Sequence, residues 1–209
     1  ANIEKNYGIE YWSIGNEPTR YEQNNFETYD TVRFNQECRA IAEAMKAVDP
    51  TIKLIGPELH QWDASIGATL KDSSGRDWMT EFLKANGDLV DVVSVHRYPL
   101  GGSANSVVTI DSLRQNAPKW DAEIAYLRSL VIELTGKDLP LAFTEVNSTP
   151  SATLGRDSSP DSFYNAIWYA DILGRMIKGK AWMVNQWVLS QRTTGLGLVK
   201  GSDIRPTIY

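Results

Sequence analysis

The sequence has very few of the residues that build disulfides and soft-metal sites. Its 209 residues include one cysteine, Cys38, and two histidines, His60 and His96. A single cysteine cannot form a disulfide within the chain, so cysteine usage does not indicate whether the protein works in an oxidising or a reducing compartment. Zinc and iron–sulfur sites need several thiolate or imidazole ligands, and the chain has too few of them. We therefore expect no metal and no cofactor.

Long apolar runs and clusters of positive charge are missing as well. No run approaches the roughly 18 apolar residues of a membrane helix, so no membrane partner is expected. The formal net charge is −5 at pH 7, and no cluster of Lys and Arg is present. Because phosphate binding needs such clusters, nucleic acid is not an expected partner. A site built of carboxylates and aromatic side chains remains possible, because the chain has seven Trp and nine Tyr.

Short apolar runs alternate with longer amphipathic stretches along the chain. Repeated strand-then-helix order predicts a parallel sheet with helices outside it, which is an α/β fold. The predicted strands cover residues 9–14, 52–55, 90–95, 140–143 and 181–189, the second ending at Gly56-Pro57. The predicted helices cover residues 31–48, 77–85, 111–134 and 162–177.

Polar and aromatic residues follow four of the predicted strands. They are Asn16 and Glu17 after the first strand, His96 and Tyr98 after the third, Glu145 after the fourth and Trp187 within the last. In a parallel barrel all of these segments emerge at one face, where barrel enzymes keep their chemistry. The pattern therefore predicts an active site.

Residues 11–18, YWSIGNEP, resemble the fourth-strand motif of glycoside hydrolase clan A, the 4/7 superfamily. In that clan the glutamate of the Asn-Glu-Pro motif is the acid/base, so the resemblance implies this role for Glu17. It also implies that Asn16 holds the sugar 2-hydroxyl. Residues 139–148, LPLAFTEVNS, resemble the end of the seventh strand, which implies that Glu145 is the nucleophile.

Two further segments fit the same clan. Residues 92–99, VVSVHRYP, resemble the sixth-strand His-x-Tyr motif, and this gives His96 and Tyr98. Residues 185–189, NQWVL, resemble the eighth strand, whose tryptophan forms the floor of the sugar subsite. The resemblance implies this role for Trp187. The sequence is closest to families 39, 51 and 79. The resemblance implies strands four to eight of a (β/α)8 TIM barrel, with their helices.

The resemblance also implies a retaining glycosidase that acts on a plant-type polysaccharide or oligosaccharide. A polymeric substrate suggests a secreted or periplasmic location. In a retaining enzyme two carboxyl groups flank the scissile bond. Glu145 must be ionised to attack, and Tyr98 can donate to it. Glu17 must start protonated, so we expect its surroundings to raise its pKa.

Each of these residues also has a structural interpretation. Glu17 can belong to a simple strand-ending turn. His96 can be a buried, hydrogen-bonded histidine, and Trp187 can belong to the core. After the second predicted strand, Glu58, His60 and Trp62 can contact substrate or form a variable loop. The sugar configuration, the linkage and the choice between exo and endo action are not readable from these motifs.

The length raises the question of completeness, since an eight-fold barrel usually takes about 250 residues. We expect residues 1–209 to be the C-terminal part of one catalytic barrel whose first three βα units are missing. Open strand edges would then need the N-terminal barrel segment or another chain. Two other classes stay open: a carbohydrate-binding remnant without turnover, and an interaction module that recruits a partner through its sheet edge.

Overall fold

The computed structural model describes residues 1–22, 28–63, 70–100, 108–150, 156–191 and 196–208. These residues form two compact units. The first unit contains the described residues of 1–62, 67–96 and 127–142, and the second unit contains those of 63–66, 97–126 and 143–209.

Five strands form one parallel sheet in chain order. They are β1 Tyr11–Ser13, β2 Lys53–Leu59, β3 Val92–Arg97, β4 Leu141–Val146 and β5 Met183–Gln186. Parallel pairing joins Trp12 to Leu54 and Ile55 to Val92. Parallel neighbours in chain order, with helices between them, are the arrangement of successive units in a (β/α)8 barrel. The predicted α/β class and partial barrel are confirmed.

Two of the helices begin at side-chain caps that are local in the sequence. The Asp77 carboxylate accepts from the Thr80 N–H at 2.8 Å, and the Ser162 hydroxyl accepts from the Asn165 N–H at 3.1 Å. Among the described residues, no helix combines the length and apolarity needed to span a bilayer. The α-helices bounded within the described residues are α1 Asn2–Lys5, α2 Thr31–Val48, α3 Trp78–Asn86, α4 Ile110–Asn116, α5 Lys119–Thr135 and α6 Phe163–Lys178. Short 3₁₀ turns cover Pro18–Arg20 and Pro206–Ile208, and a small antiparallel pair joins β6 Val199–Lys200 to β7 Asp203–Ile204.

The prediction that the second strand ends at Gly56-Pro57 is wrong. β2 continues to Leu59, with Pro57 paired to Ser94, and the register against β3 shifts between Pro57 and Leu59. Proline cannot donate to the ladder, but the shifted register keeps the strand paired. At the shift Glu58 takes a left-handed φ of 56°, and its N–H donates to the Ser94 hydroxyl at 3.2 Å.

The single helix predicted over residues 111–134 is two helices, α4 and α5. The break falls at Ala117-Pro118, because a proline inside a helix removes one hydrogen bond and clashes with the preceding turn. Asn116, the last residue of α4, is buried at the corner. Its side-chain oxygen accepts from the indole N–H groups of Trp120 and Trp168, both at 3.0 Å.

Aromatic side chains form the centre of each unit. In the first unit, the ring of Phe34 lies 5.7 Å from that of Trp78 and 6.1 Å from that of Phe82. In the second unit, the buried ring of Trp120 lies 5.5 Å from that of Phe143. Their burial removes apolar surface from water and so stabilises each unit.

A buried ion cluster in the second unit holds the end of β3. The Arg97 guanidinium donates to both carboxylate oxygens of Glu123, at 2.9 and 2.8 Å, and to Asp63 at 2.8 Å. The side chains of Arg97 and Glu123 are 4% and 0% exposed. Burial raises the pKa of Glu123 more than the hydrogen bonds from Arg97 lower it. Tyr98 directly follows this anchored arginine.

Replacing Glu123 with alanine is expected to lower the free energy of unfolding by about 3–5 kcal/mol, because it leaves the Arg97 charge buried without its main partner. Urea unfolding followed by circular dichroism measures the loss. As a control, Glu133→Ala removes an exposed carboxylate from the same helix and should change the value by less than about 0.5 kcal/mol. Equal effects of the two substitutions would contradict a stabilising role for the cluster.

Candidate active site

A carboxylate held by two histidines lies at the ends of three parallel strands in the first unit. Glu17 follows β1, His60 follows β2 and His96 belongs to β3. Oε1 of Glu17 lies 3.1 Å from Nδ1 of His60 and 3.0 Å from Nδ1 of His96. Arg20 approaches the other oxygen, Oε2, at 3.3 Å. The Glu17 side chain is only 15% exposed, so these contacts dominate its surroundings.

The backbone around Glu17 is fixed in a conformation that few residues adopt. Glu17 has a φ of 48°, and its N–H donates to the carbonyl of Glu58 at 3.1 Å. Gly15 has a φ of 83°, and a Cβ added there would lie 2.9 Å from the Tyr21 hydroxyl oxygen. That oxygen accepts from the N–H of Asn16 at 2.9 Å. Asn16 itself is exposed, and its contact with sugar stays a prediction.

His96 is buried between two carboxylates of the first unit. Its Nε2 lies 3.3 Å from Oε2 of Glu58, opposite the contact of its Nδ1 with Glu17. The Ser13 hydroxyl donates to the other oxygen of Glu58 at 2.6 Å. His96 is 1% exposed and Glu58 is 4% exposed. His96 therefore links Glu17 to Glu58 within the first unit.

The surroundings of Glu17 change its pKa in the direction opposite to that expected. Partial burial raises the pKa of Glu17, but hydrogen bonds from His60 and His96 and the charges of these rings together lower it more. The net result is a pKa well below the usual range. The prediction of a raised pKa is therefore wrong, because it did not anticipate two imidazole nitrogens within hydrogen-bond distance of one carboxylate oxygen.

In the second unit a tyrosine donates to the predicted nucleophile. The Tyr98 hydroxyl lies 2.7 Å from Oε2 of Glu145, so the hydrogen bond expected from the sequence is present. Tyr98 is 7% exposed and Glu145 is half-buried. This hydrogen bond restricts the rotation of the Glu145 carboxylate.

The backbone of Trp187 is held at the end of β5 while its ring stays accessible. Its N–H donates to the carbonyl of Val146 at 3.0 Å, and its carbonyl accepts from the buried amide of Asn147 at 2.8 Å. The Trp187–Val188 peptide is cis. Trp187 is 41% exposed, so the core interpretation does not apply. β5 ends at Gln186, earlier than the predicted residue 189.

The sequence motifs left the roles of four residues near the site open or unassigned. His60 contacts Glu17, and Glu58 contacts His96, so both belong to the site. Trp62 is 3% exposed and belongs to the core. Asn147, which had no predicted role, lies two residues after Glu145. Its position just beyond a predicted strand end was the available signal.

Comparison with known proteins gives a family and a fold. Residues 3–191 match the family described as glycosyl hydrolases family 39. No curated protein shows a significant match. A monomeric β-xylosidase from Caulobacter crescentus CB15 has a similar structure, with a TM-score of 0.65 and 23% identity, covering 93% of this chain and 39% of that chain.

Two further solved structures show the same fold. A Paenibacillus polymyxa xyloglucanase from glycoside hydrolase family 44 has a TM-score of 0.63 and 18% identity, covering 88% of this chain and 43% of that chain. An arabinofuranosidase has a TM-score of 0.61 and 19% identity, covering 91% of this chain and 36% of that chain. The chain thus spans less than half the length of each of these structures.

Replacing His60 with alanine is expected to raise the pKa of Glu17 toward the usual range of glutamate, because one hydrogen bond and one nearby charge are removed. NMR titration of ¹³Cδ-labelled glutamate measures it. Glu37 serves as the internal control, since Tyr29 and Arg33 hold its pKa low and His60 is not among the groups that do so. An unchanged Glu17 pKa would show that His60 does not hold this carboxylate.

Proposed function

The chain belongs to glycosyl hydrolase family 39, and on this basis we propose that it is a retaining glycosidase that cleaves O-glycosidic bonds by double displacement. The observation that carries the proposal is the family match over residues 3–191, which includes both predicted catalytic glutamates. The contacts of Glu17 and Glu145 within their own units support the roles below.

In the first step Glu145 is the nucleophile. Its carboxylate attacks the anomeric carbon while the bond from that carbon to the glycosidic oxygen breaks, and Glu17 gives a proton to the departing oxygen. The product is a glycosyl ester on Glu145. The hydrogen bond from the Tyr98 hydroxyl at 2.7 Å supports this role, because it orients one oxygen and leaves the other for attack.

In the second step Glu17 is the base. It takes a proton from water as the water oxygen attacks the anomeric carbon, and the ester bond to Glu145 breaks. The low pKa of Glu17 beside its two histidines keeps the carboxylate ionised, as a base must be before it takes a proton. The first step needs a proton on Glu17, and the adjacent imidazole groups can supply one over hydrogen bonds of 3.0 and 3.1 Å.

We further propose that the substrate is a plant-type polysaccharide or oligosaccharide. The names of the similar structures, a β-xylosidase, a xyloglucanase and an arabinofuranosidase, support β-xylosides, β-glucans and arabinofuranosides as candidates. Asn16 would bind the 2-hydroxyl, and the exposed ring of Trp187 would stack on the sugar. A polymeric substrate also supports a secreted or periplasmic location.

The similar structures are longer than this chain. We propose that residues 1–209 act within a (β/α)8 barrel to which another segment or chain contributes further strands. The family match does not favour the alternative, a remnant that binds carbohydrate without turnover.

Mechanism-based cyclitol epoxides in the xylo, gluco and arabinofuranose configurations are expected to label the protein once, on Glu145. Intact mass followed by peptide mapping detects the adduct, and the reactive configuration identifies the sugar. Glu145→Gln is the matched control and should remain unlabelled. An adduct on another residue would overturn the assignment. Sugar binding that survives Glu145→Gln, without hydrolysis by the parent protein, would favour the carbohydrate-binding remnant.

Removing the Tyr98 hydroxyl by Tyr98→Phe is expected to lower kcat/KM by about tenfold to a hundredfold, because a hydrogen bond to a charged group is lost. Hydrolysis of the aryl glycoside whose configuration gives the adduct measures the effect. Tyr164→Phe removes a hydroxyl from a tyrosine that is 44% exposed in the same unit and should leave kcat/KM unchanged. Equal rates for all three proteins would rule out a role for Tyr98.

A further inference from the structure

One buried carboxylate of the first unit has no part in the double displacement. Glu58 is 4% exposed and sits at the register shift of β2 with a left-handed φ of 56°. A non-glycine residue in this region is strained, and such conformations persist where the surrounding structure holds them. Here the Ser13 hydroxyl, the Ser94 hydroxyl and Nε2 of His96 hold the side chain and backbone of Glu58.

The two nitrogens of His96 face groups with different hydrogen-bonding capacity. When Glu58 is ionised it can only accept, and its contact with His96 then requires that Nε2 of His96 carry a proton. Nδ1 of His96 then has two possible states opposite Glu17. As a lone pair it accepts from a protonated Glu17, and as an N–H it donates to an ionised Glu17. Both states satisfy the 3.0 Å contact between the two groups.

We propose that Glu58 is a positioning residue that fixes the Nε2–H tautomer of His96, so that His96 and Glu17 share a single proton across their hydrogen bond. This rests on the proposed function of Glu17 as acid/base. The arrangement lets Glu17 act as an acid while the pair holds the shared proton and as a base once that proton has left. Glu58 itself does not touch the substrate.

The proton is accounted for through both steps. In the first step it leaves Glu17 for the glycosidic oxygen as the bond to the anomeric carbon breaks. In the second step a water proton returns to Glu17 as the ester to Glu145 is cleaved. Nε2–H of His96 donates to Glu58 throughout. The shared proton therefore belongs to the coupled pair, which titrates as one system.

Several charged groups of the first unit act on this pair. His60 and Arg20 face Glu17, at 3.1 and 3.3 Å, and Glu58 faces His96 at 3.3 Å. The negative charge of Glu58 raises the affinity of the pair for its shared proton. Removing that charge while keeping the side-chain shape should make the shared proton dissociate at lower pH.

Glu58→Gln is the test variant, measured with matched pairs of 2,4-dinitrophenyl and methyl glycosides of β-D-xylose, β-D-glucose and α-L-arabinofuranose. Dinitrophenolate leaves without protonation, whereas methoxide needs the acid. Glu43→Gln is the control, because Glu43 is an exposed carboxylate on α2 that pairs with Arg39.

For Glu58→Gln, kcat/KM on the methyl glycoside is expected to fall by about tenfold or more, while kcat/KM on the dinitrophenyl glycoside stays within about threefold. The basic limb of the pH profile on the methyl glycoside should move down by about one pH unit. Glu43→Gln should match the parent in both respects. Equal losses on both substrates with an unmoved limb would show that Glu58 only supports the fold, and would overturn the proposal.

A measurement on the unsubstituted protein keeps the proposal testable if Glu58→Gln does not fold. Long-range ¹H–¹⁵N spectra of the two labelled histidines, assigned with His60→Gln, report the state of each ring nitrogen. We expect Nε2 of His96 to remain protonated from pH 5 to pH 9. Loss of the Nε2 proton while Nδ1 keeps its own would overturn the proposal. This result stands apart from the labelling of Glu145, so failure of the glycosidase proposal would be recognised separately.

Discussion

Parallel pairing of β1, β2 and β3 brings the segments that follow these strands to one edge of the sheet in the first unit. Glu17, His60 and His96 meet there because each lies at or just after the carboxyl end of its own strand. In the second unit the same rule applies to Tyr98, which follows β3, and Glu145, which lies near the end of β4. Parallel hydrogen bonding thus imposes the arrangement on which every candidate catalytic contact depends.

Burial sets the second constraint, because polar groups removed from water need partners. His96 satisfies it with a carboxylate on each ring nitrogen, and Glu58 satisfies it with a serine hydroxyl and the imidazole. Glu58 reaches this position only because β2 shifts register after Pro57. An irregularity in a strand therefore supplies the site with a carboxylate that a regular strand would point elsewhere.

Two prolines show where local sequence patterns predict the end of an element correctly and where they do not. Pro118 divides a predicted long helix into α4 and α5, as the chemistry of proline in a helix requires. Pro57 was also expected to end an element, yet β2 continues through it. The difference is that a helix needs the missing N–H for its own ladder, whereas a strand can shift its pairing with a neighbour. The residues next to Pro57 in the sequence do not indicate whether the neighbouring strand β3 permits this shift in register.

The sequence by itself determined the alternation of strands and helices, the strand ends that carry Glu17, Tyr98 and Glu145, and the membership in the glycoside hydrolases. These depend on residues within a few positions of one another, so local periodicity and motifs are sufficient. Only the tertiary structure decided that the pKa of Glu17 is lowered. The physical reason is that charge interactions and hydrogen bonds depend on distance in space, and the two histidine partners of Glu17 lie 43 and 79 positions away along the chain.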